Sequence, residues 1–587
     1  MYGFFNRLLN IDVSNRSFQI LELPDELLAG TLGGKGLATR LLLTHNPPGV
    51  DPLAPENHII FATGPVAGTA IWGGCRYGVY TKSPLTGLYS ESYSGGRAAE
   101  PMAATGFDAV MIHGASQESL WLEVHEQGVE FHPAGDLWGL DCYQAEDRVK
   151  ELLSGGGPSP AVTVIGPAGE NLVRFAVIEN DYWRSAGRTG VGAVLGSKKV
   201  KAVAFRGSRK KEAAHPRKVK EFARELAARA KDDAGVKAYK GMGTTMMVDI
   251  MSHVGSFPSR YWHQGQVAHQ EKINAAALHQ NHQVKPHACL KCFIACGRMT
   301  TIQQGRHQGL VIEGPEYETI YSFGGLCMVD DIGEIAYLND LCDRLGMDTI
   351  TAGNLVGLSI EAARRGKIDL ELDYGRVDAI AALLEDMAAR RGVGAVLAEG
   401  IRHAAAQWGL EELAIHVKGM EPAGYDPRVL KGMGLAYGTS PRGACHLRAT
   451  FYKPELAGMV DPEQIEGKAA VFTEWEDRLI IFDTLVLCRF YRDLYPWEEL
   501  ARIIHAVTGL ELDTAAMRRI AGGISDDTRR FNLREGLKPE DDRLPPRFYR
   551  EALPETGKVI SEQAMETMLA EYYRARGWDA QGRPPGA

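Results

Sequence analysis

The segment His287-Ala-Cys-Leu-Lys-Cys-Phe-Ile-Ala-Cys-Gly297 holds three cysteines in a C-x2-C-x3-C array. Thiolates at this spacing can bind one face of a soft metal centre from a single loop, as in zinc knuckles and iron–sulfur sites. A fourth ligand has to come from elsewhere, and Cys488, which ends the apolar run Asp483-Thr-Leu-Val-Leu-Cys488, is the best candidate. The array therefore predicts a fold in which two distant parts of the chain meet at one metal centre.

Two kinds of metal centre fit this array. A C-x2-C pair is common in structural zinc sites, and His282 and His287 just upstream are candidate zinc ligands. However, no second close pair of ligands follows at the distance that zinc sites use, and the third cysteine favours a [4Fe–4S] cluster. The predicted cluster ligands are Cys289, Cys292, Cys296 and Cys488.

Composition limits the classes of protein. The 587 residues suffice for roughly three to four domains. The 65 basic and 74 acidic residues give a formal charge of −9, which argues against nucleic-acid binding. The nine cysteines are scattered and odd in number, so they indicate the reducing cytoplasm rather than a disulfide framework. We expect no signal peptide, because the N-terminal segment turns polar by Asn6 and has no apolar h-region. We expect no membrane span, because no run of about 18 apolar residues occurs.

Short strands and glycine turns dominate the chain before residue 208. Residues 4–23 predict a hairpin, and Gly33-Gly-Lys-Gly36 predicts a turn that opens a helix. The glycine- and arginine-rich loop 184–192 suits anionic oxygens. We expect the strands to form short antiparallel pairs beneath a cofactor. Further strands are predicted at 58–63, 73–82, 88–93, 107–113, 120–124, 129–131, 161–165, 172–178 and 198–205.

Beyond a charged linker near residue 208 the pattern becomes mostly helical. A polar helix is predicted at 217–232, and the Gly- and Pro-rich final dozen residues predict an extended tail. Apolar residues at three- and four-residue steps predict helices at 329–347, 351–365, 376–391, 395–408, 470–487, 497–508 and 512–521.

Four further motifs occur together with the cysteines. A carboxylate-rich segment, Glu313-Gly-Pro-Glu-Tyr-Glu318, follows the cysteine loop. Asp343-Arg-Leu-Gly-Met-Asp348 and Asp483-Thr-Leu-Val-Leu-Cys488 are two similar phrases, and Ser440-Pro-Arg-Gly-Ala-Cys-His-Leu-Arg448 lies between them. The combination resembles the aldehyde:ferredoxin oxidoreductase family of tungsten enzymes, and the resemblance covers nearly the whole chain.

The resemblance implies two pterin dithiolene cofactors (a tungstopterin pair) that hold one tungsten, with Mg²⁺ as a candidate bridge between their phosphates. Dithiolene sulfur satisfies a soft metal, so the protein has to grip rings and phosphates rather than the metal. Aspartates suit the amino groups of pterin rings, and arginines suit phosphates. Tyr93 and Val486 stand where the family has asparagine and glycine, and Arg76 is expected between the two pterins. The implied cofactor-binding residues are Arg76, Tyr93, Gly95, Arg184, Ala186, Gly187, Arg188, Asp343, Met347, Asp348, Arg442, Arg448, Asp483, Leu487 and Arg489.

Glu318 and His446 match the family residues that lie beside tungsten. A buried carboxylate with a raised pKa can accept the proton that an aldehyde loses on oxidation, and a histidine can donate a hydrogen bond to the carbonyl oxygen. Tyr317 is a candidate second donor. Glu313 and Glu316 are expected to reach solvent or a cation, because three adjacent carboxylates cannot all be buried without large cost.

These observations predict an α+β fold. A β-rich base domain (1–207) is followed by two mostly helical domains (208–417 and 418–587) that enclose the bis-pterin site. The predicted reaction oxidises a small aldehyde to a carboxylic acid and passes electrons through the cluster to ferredoxin or a small iron–sulfur subunit. The sequence leaves open molybdenum in place of tungsten, a homo-oligomer or a hetero-oligomer, and two alternatives: an aromatic acyl-CoA reductase subunit of the same family, or a zinc-stabilised helical interaction protein without catalysis.

Overall fold

Two six-stranded sheets form the N-terminal part of the protein. The structure is a computed structural model that describes residues 1–586. The first sheet has the order β2-β1-β6-β3-β4-β5, and its first two strands form the predicted hairpin. Its strands are β1 (Arg7–Asp12), β2 (Ser17–Glu22), β3 (Ile59–Ala62), β4 (Tyr77–Lys82), β5 (Tyr89–Ser94) and β6 (Ala109–His113).

The second sheet has the order β11-β10-β9-β12-β7-β8. Each of the two sheets contains one parallel pair, β1 with β6 and β7 with β12, where antiparallel pairing was predicted throughout. A parallel neighbour needs a long crossover, and in both sheets several other elements separate the two strands along the chain. The strands are β7 (Leu120–His125), β8 (Gly128–Pro133), β9 (Ala161–Val164), β10 (Ile178–Asn180), β11 (Arg184–Ala186) and β12 (Val200–Phe205).

The prediction of a strand at 172–178 is wrong except for Ile178, which begins β10. Leu172 has φ +57°, and the segment after it leaves the sheet. The Val177 N–H donates to the Gly346 carbonyl at 3.0 Å, and Ala176 forms an isolated bridge with Met347. This apolar run therefore supports the first aspartate phrase.

A third sheet lies in the region that was predicted to be mostly helical. Strands β13 (Gln283–His287), β14 (Gly297–Thr301) and β15 (Val311–Glu313) are antiparallel. The cysteine loop is the connection between β13 and β14. β15 leads directly into the segment that carries Glu318, so one small sheet positions both motifs.

Helices make up most of the remaining chain, and most predicted helices are confirmed within a few residues. The helix predicted at 395–408 is two helices, because Gly400 has φ +87° and interrupts it. The helices are α1 (Asp25–Thr31), α2 (Gly34–His45), α3 (Ala99–Ala104), α4 (Cys142–Leu152), α5 (Pro167–Glu170), α6 (Val191–Ser197), α7 (Pro216–Ala230), α8 (Ala234–Met242), α9 (Met247–His253), α10 (Gln270–Ile273), α11 (Ala275–Asn281), α12 (Tyr317–Thr319), α13 (Ile332–Leu345), α14 (Thr349–Arg364), α15 (Val377–Ala389), α16 (Val393–Leu397), α17 (Ile401–Trp408), α18 (Lys431–Thr439), α19 (Tyr452–Leu456), α20 (Lys468–Leu485), α21 (Trp497–Thr508), α22 (Thr514–Arg534), α23 (Pro546–Arg550) and α24 (Glu562–Arg576). Short 3₁₀ segments occur at Gly243–Met246, Arg489–Tyr491 and Pro539–Asp542, and a π-helical segment at Ile320–Leu326 follows α12 directly.

The largest hydrophobic core crosses the predicted domain boundary near 418. Phe323 and Leu355 pack in the same cluster as Tyr437 and Phe472. The C-terminal segment is attached rather than free, because the Arg529 Nε donates to its Gly582 carbonyl at 2.8 Å. None of the helices among the described residues has the length and apolar character needed to cross a membrane. The three-domain division stays a prediction.

Candidate active site

Backbone hydrogen bonds join the cysteine loop to the N-terminal part and to Cys488. The Leu290 N–H donates to the Gly96 carbonyl at 3.0 Å, and the Gly73 N–H donates to the Lys291 carbonyl at 3.4 Å. The Gly73 carbonyl in turn accepts from the Cys488 N–H at 2.9 Å. The glycine-rich segment before β4 therefore lies between the loop and the distant fourth cysteine.

The four predicted cluster cysteines lie in one neighbourhood. The Gly96 N–H donates to the Cys289 Sγ at 3.2 Å. Burial and the nearby Cys488 raise the pKa of Cys292 to about 11. Burial also raises the pKa of Cys296, with contributions from Glu316 and Cys488. Cys292 and Cys296 therefore both lie close enough to Cys488 and Cys289 to be influenced by them.

The spacing of these thiols is wider than zinc requires. A tetrahedral zinc site holds its sulfurs about 3.8 Å apart, since each Zn–S bond is about 2.3 Å long. Within residues 1–586 the only set of three His, Cys, Asp or Glu ligand atoms within 4.8 Å of one another is Glu123, Glu130 and His132, on β7 and β8. No three of the four thiols thus come as close together as a tetrahedral zinc site requires.

A cavity beside this centre brings together many of the predicted residues from all three parts of the chain. Its floor comes from β5 and the loop after β11, and its other walls come from the carboxylate segment and both sides of α14's N-terminus. The predicted residues that line it are Tyr93, Gly187, Arg188, Glu318, Asp343, Met347, Asp348, Arg442 and His446.

Asp348 and Arg188 form the central ion pair of this wall. The Arg188 Nε lies 2.8 Å from the Asp348 Oδ2, and both side chains are buried. Asp348 also begins α14, because its Oδ1 accepts from the Ile350 N–H at 3.0 Å. At the other end of the phrase, burial raises the pKa of Asp343, whose Oδ2 accepts from the Asn339 amide at 2.7 Å.

A second buried network joins the remaining phosphate-binding candidates. Arg448 Nη1 lies 2.6 Å from Asp483 Oδ2 and 2.6 Å from Glu91 Oε2. Arg489 Nη2 also lies 2.6 Å from Asp483 Oδ2. Tyr93 links this network to the cavity. The Arg448 guanidinium lies 5.1 Å from the centroid of the Tyr93 ring, and the Tyr93 hydroxyl donates to Glu91.

Several arginine N–H groups around the cavity are buried without a partner, and they test the fit of an anionic cofactor. These orphaned donors belong to Arg76, Arg184, Arg442, Arg448 and Arg489. A buried donor without an acceptor is costly, so a native site of this kind requires an acceptor-rich ligand. Pterin phosphates have the charge and the acceptor oxygens that these donors lack, so the residues fit the group.

The other predicted cofactor residues occupy supporting positions. The Arg76 Nη2 donates to the Tyr93 carbonyl at 3.1 Å, which places Arg76 beside β5. Arg184 pairs with Glu313, and Gly95 is so close to the Cys289 Sγ that a Cβ there would lie 3.0 Å from it. The buried Ala186 and Leu487 complete the set.

The three carboxylates of the segment Glu313–Glu318 have different environments. Glu313 contacts two cationic groups, Arg184 and His287, as expected. Glu316 accepts a hydrogen bond from the hydroxyl of Thr244, is partly exposed and lines the same cavity, and it has no direct ion pair among the described residues. Glu318 faces the cavity, and burial raises its pKa to about 8. Glu318 is thus the carboxylate suited to hold a proton reversibly near neutral pH.

His446 stands directly opposite Glu318. Its Nε2 lies 3.5 Å from the Glu318 Oε1, and its Nδ1 is buried without a partner. Burial, reinforced by Arg188 and Arg442, holds the pKa of His446 well below its usual value. The imidazole is therefore neutral and can donate a hydrogen bond from one ring nitrogen only.

Tyr317 does not line this cavity, so its predicted role as a second donor to substrate has to be corrected. Its hydroxyl donates to the Gly424 carbonyl, and the Gly424 N–H donates to the Glu318 Oε2 at 3.0 Å. Tyr317 thus fixes the loop that holds one oxygen of Glu318, while the other oxygen is buried without a partner.

Sequence reasoning missed several residues at the site. Glu91 is fully buried between Arg448 and Lys35, and Lys35 belongs to the glycine turn that opens α2. Cys75 lies against Cys289 and, through a hydrogen bond, lowers the pKa of that thiol to about 5. Alternation along β5 was the one available signal for Glu91. Nothing local marks Cys75.

The fold and the site together define an oxidoreductase. The family model "Aldehyde ferredoxin oxidoreductase, N-terminal domain" matches residues 8–207, and "Aldehyde ferredoxin oxidoreductase, domains 2 & 3" matches residues 221–587. The chain belongs to the aldehyde ferredoxin oxidoreductase family, which confirms the resemblance drawn from the motifs.

Individual relatives agree with this membership. The tungsten-containing aldehyde ferredoxin oxidoreductases of Pyrococcus furiosus and Thermococcus kodakarensis are each 34% identical over 601 residues, spanning 100% of this chain and 98% of the relative. The WOR-like subunit of the P. furiosus aliphatic sulfonate oxidoreductase is 28% identical, spanning 100% and 96%. Among solved structures, the active-site complex of benzoyl coenzyme A reductase with 1,5-dienoyl-CoA has a TM-score of 0.84 at 22% identity, over 99% and 96% of the two chains.

Proposed function

We propose that this protein is a tungsten-dependent oxidoreductase that oxidises an aldehyde to a carboxylic acid. The reaction consumes one water and releases two protons and two electrons. Cys289, Cys292, Cys296 and Cys488 would hold a [4Fe–4S] cluster, which would supply one-electron transfer towards ferredoxin or a small iron–sulfur subunit. The observation that carries the proposal is the Glu318–His446 pair, which faces a cavity lined by Arg188 and by Arg442, whose Nε is buried without a partner.

The pterin-bound metal, when present, supplies the two-electron acceptor. Glu318 accepts the substrate proton at its free Oε1, because its Oε2 is held by the Gly424 N–H. His446, as a neutral imidazole, orients the carbonyl oxygen. Asp343, Asp348 and Asp483 hold the pterin rings, and the arginines hold the phosphates, with Mg²⁺ as a candidate bridge.

The tungsten and ferredoxin assignments rest on the names of the relatives that span the whole chain. A cytoplasmic setting fits a protein with four cysteines in an oxygen-sensitive cluster. Whether the protein forms a homo-oligomer or joins a partner subunit is left to a measurement of mass in solution.

An aromatic acyl-CoA reductase subunit is the second candidate, because the benzoyl coenzyme A reductase complex shares the fold. One anaerobic preparation separates the candidates. Metal analysis should give tungsten, four irons per chain for the cluster and no stoichiometric zinc. Aldehyde-dependent viologen reduction without turnover of an aromatic acyl-CoA supports the proposal. A colourless, zinc-loaded protein, or one that turns over only the acyl-CoA, contradicts it.

A further inference from the structure

One buried threonine hydroxyl behind the cavity wall is in contact with two buried carboxyl groups, of which Asp348 lines the cavity. The Thr351 Oγ1 lies 2.8 Å from the Asp348 Oδ2 and 2.8 Å from the Glu421 Oε2. All three residues are almost completely buried. A hydroxyl carries one proton and an ionised carboxylate can only accept, so Thr351 can donate to one of the two groups. The other contact is a hydrogen bond only if that carboxyl group carries a proton.

The surroundings decide which carboxyl group is ionised. Asp348 accepts from the Arg188 Nε at 2.8 Å and from the Ile350 N–H at the start of α14, and both interactions favour the charged form. Glu421 has no such partner: the Arg188 Nη2 is 3.9 Å away, and the Glu421 Oε1 is buried without a hydrogen bond. Glu421 is therefore the protonated member of the pair.

The other groups around Glu421 do not change this assignment. Arg188 is the only cation that contributes strongly to the pKa of Glu421. The Arg188 Nη2 already donates a hydrogen bond to the Glu421 backbone carbonyl at 3.0 Å. Tyr261 and Tyr321, which also face this carboxyl group, are neutral because burial raises the pKa of both phenols. Burial likewise raises the pKa of Glu421 to about 7.

We propose that Glu421 is a proton reservoir for the cavity, connected through Thr351 to Asp348. The Glu421 O–H donates to the Thr351 Oγ1, and the Thr351 O–H donates to the Asp348 Oδ2. When the Glu421 O–H bond breaks, its proton bonds to the Thr351 oxygen, and the original Thr351 proton bonds to Asp348. One positive charge thereby moves from Glu421 to the cavity wall, and no heavy atom has to move.

The proton transfer would compensate negative charge that arrives at the cavity during the reaction. This part of the inference rests on the proposed function. Two electrons from the substrate add negative charge beside Asp348, whose carboxylate lines the same cavity as Glu318. In a low-dielectric site such a charge is expensive unless it is neutralised. A proton on Asp348 removes one negative charge from the wall. Glu421 acts through Thr351, so it is a positioning residue.

Infrared difference spectroscopy of the holoenzyme tests the proposal without any substrate. Spectra of dithionite-reduced and oxidised protein should show the carbonyl band of a protonated carboxylic acid changing with oxidation state. Glu421→Gln should remove the Glu421 component of this difference band, although its amide can still donate to Thr351. Thr351→Val should remove the same component from the difference spectrum, because Glu421 stays protonated in both oxidation states once the bridge is lost.

Glu455→Gln is the matched control, since Glu455 is a fully buried glutamate held by Lys468 that does not line the cavity. It should leave the difference band unchanged. A difference spectrum that Glu421→Gln leaves unchanged overturns the proposal, and so does a wild-type spectrum with no carboxylic-acid component that responds to reduction. If the wild-type holoenzyme shows the Glu421 component in its difference spectrum but does not turn over an aldehyde, the result counts against the proposed function and not against the proton reservoir.

Discussion

Replacing Glu318 by glutamine removes the proposed proton acceptor while keeping its shape. In the wild type, burial raises the pKa of Glu318 from 4.5 to about 8, which corresponds to about 5 kcal/mol in favour of the protonated acid. Only the ionised form can accept the substrate proton. Below pH 8 the ionised fraction falls tenfold per pH unit, so about one tenth of the enzyme is competent at pH 7.

Wild-type kcat/KM should therefore rise with pH and level off near pH 8. Glu318→Gln should lower kcat by on the order of 10²–10⁴ and remove this rising limb, because a positioned general base contributes about that factor. The assay is aldehyde-dependent viologen reduction from pH 6 to pH 9, with tungsten and iron measured on the same samples. Glu316→Gln is the control, since the Glu316 carboxylate bonds to Thr244, and it should keep the limb. Near-normal turnover in a fully loaded Glu318→Gln enzyme would refute the assignment.

Three further outcomes follow from the same geometry. Cys488→Ser should lower iron content and bleach the broad visible absorption, whereas Cys327→Ala, in the hydrophobic core, should keep both; unchanged iron in Cys488→Ser rules that ligand out. Tyr317→Phe loses the hydrogen bond to Gly424, which is worth about 1 kcal/mol, and should lower kcat/KM by about fivefold with the pH limb retained. A change in KM for the aldehyde alone would restore Tyr317 as a substrate donor. Because the pKa of Glu318 is raised from 4.5 to about 8 on folding, the stability that its protonated form confers is present below pH 4.5 and is lost as the pH rises through about 8. Glutamine stays neutral, so the Tm of metal-free Glu318→Gln should exceed that of the metal-free wild type by a margin that grows over this pH window. Parallel Tm curves would contradict the raised pKa.

The sequence predicts those parts of the fold whose signals are local. The hairpin β1–β2 and helix α21 follow from alternation and from helical periodicity, and the structure has both. The run 172–178 has the same apolar character as a strand, but its backbone partners, Gly346 and Met347, lie about 170 positions later in the chain. No local pattern reveals such partners, and tertiary contacts override propensity at this point.

For the site, the sequence supplies residue types and the structure supplies their orientation. The aspartate phrases and Glu318 could be found because each belongs to a motif. The direction of the Tyr317 hydroxyl, towards Gly424 and away from the cavity, depends on a loop more than a hundred residues downstream. Glu421 was equally hidden, because its role comes from two 2.8 Å contacts around Thr351 and from no motif.

The charges around β5 explain why a cofactor belongs to this fold. Arg448, Arg489 and Lys35 share two buried carboxylates, Glu91 and Asp483. Two further cations, at positions 76 and 442, have no carboxylate within 4.0 Å among the described residues. The wall thus holds five cations and two anions, and an unpaired buried charge is unfavourable by several kcal/mol. A doubly charged phosphate on each of two pterins would offset this surplus, so binding of the cofactor and stability of this wall are coupled, and variants here should be compared at equal cofactor loading.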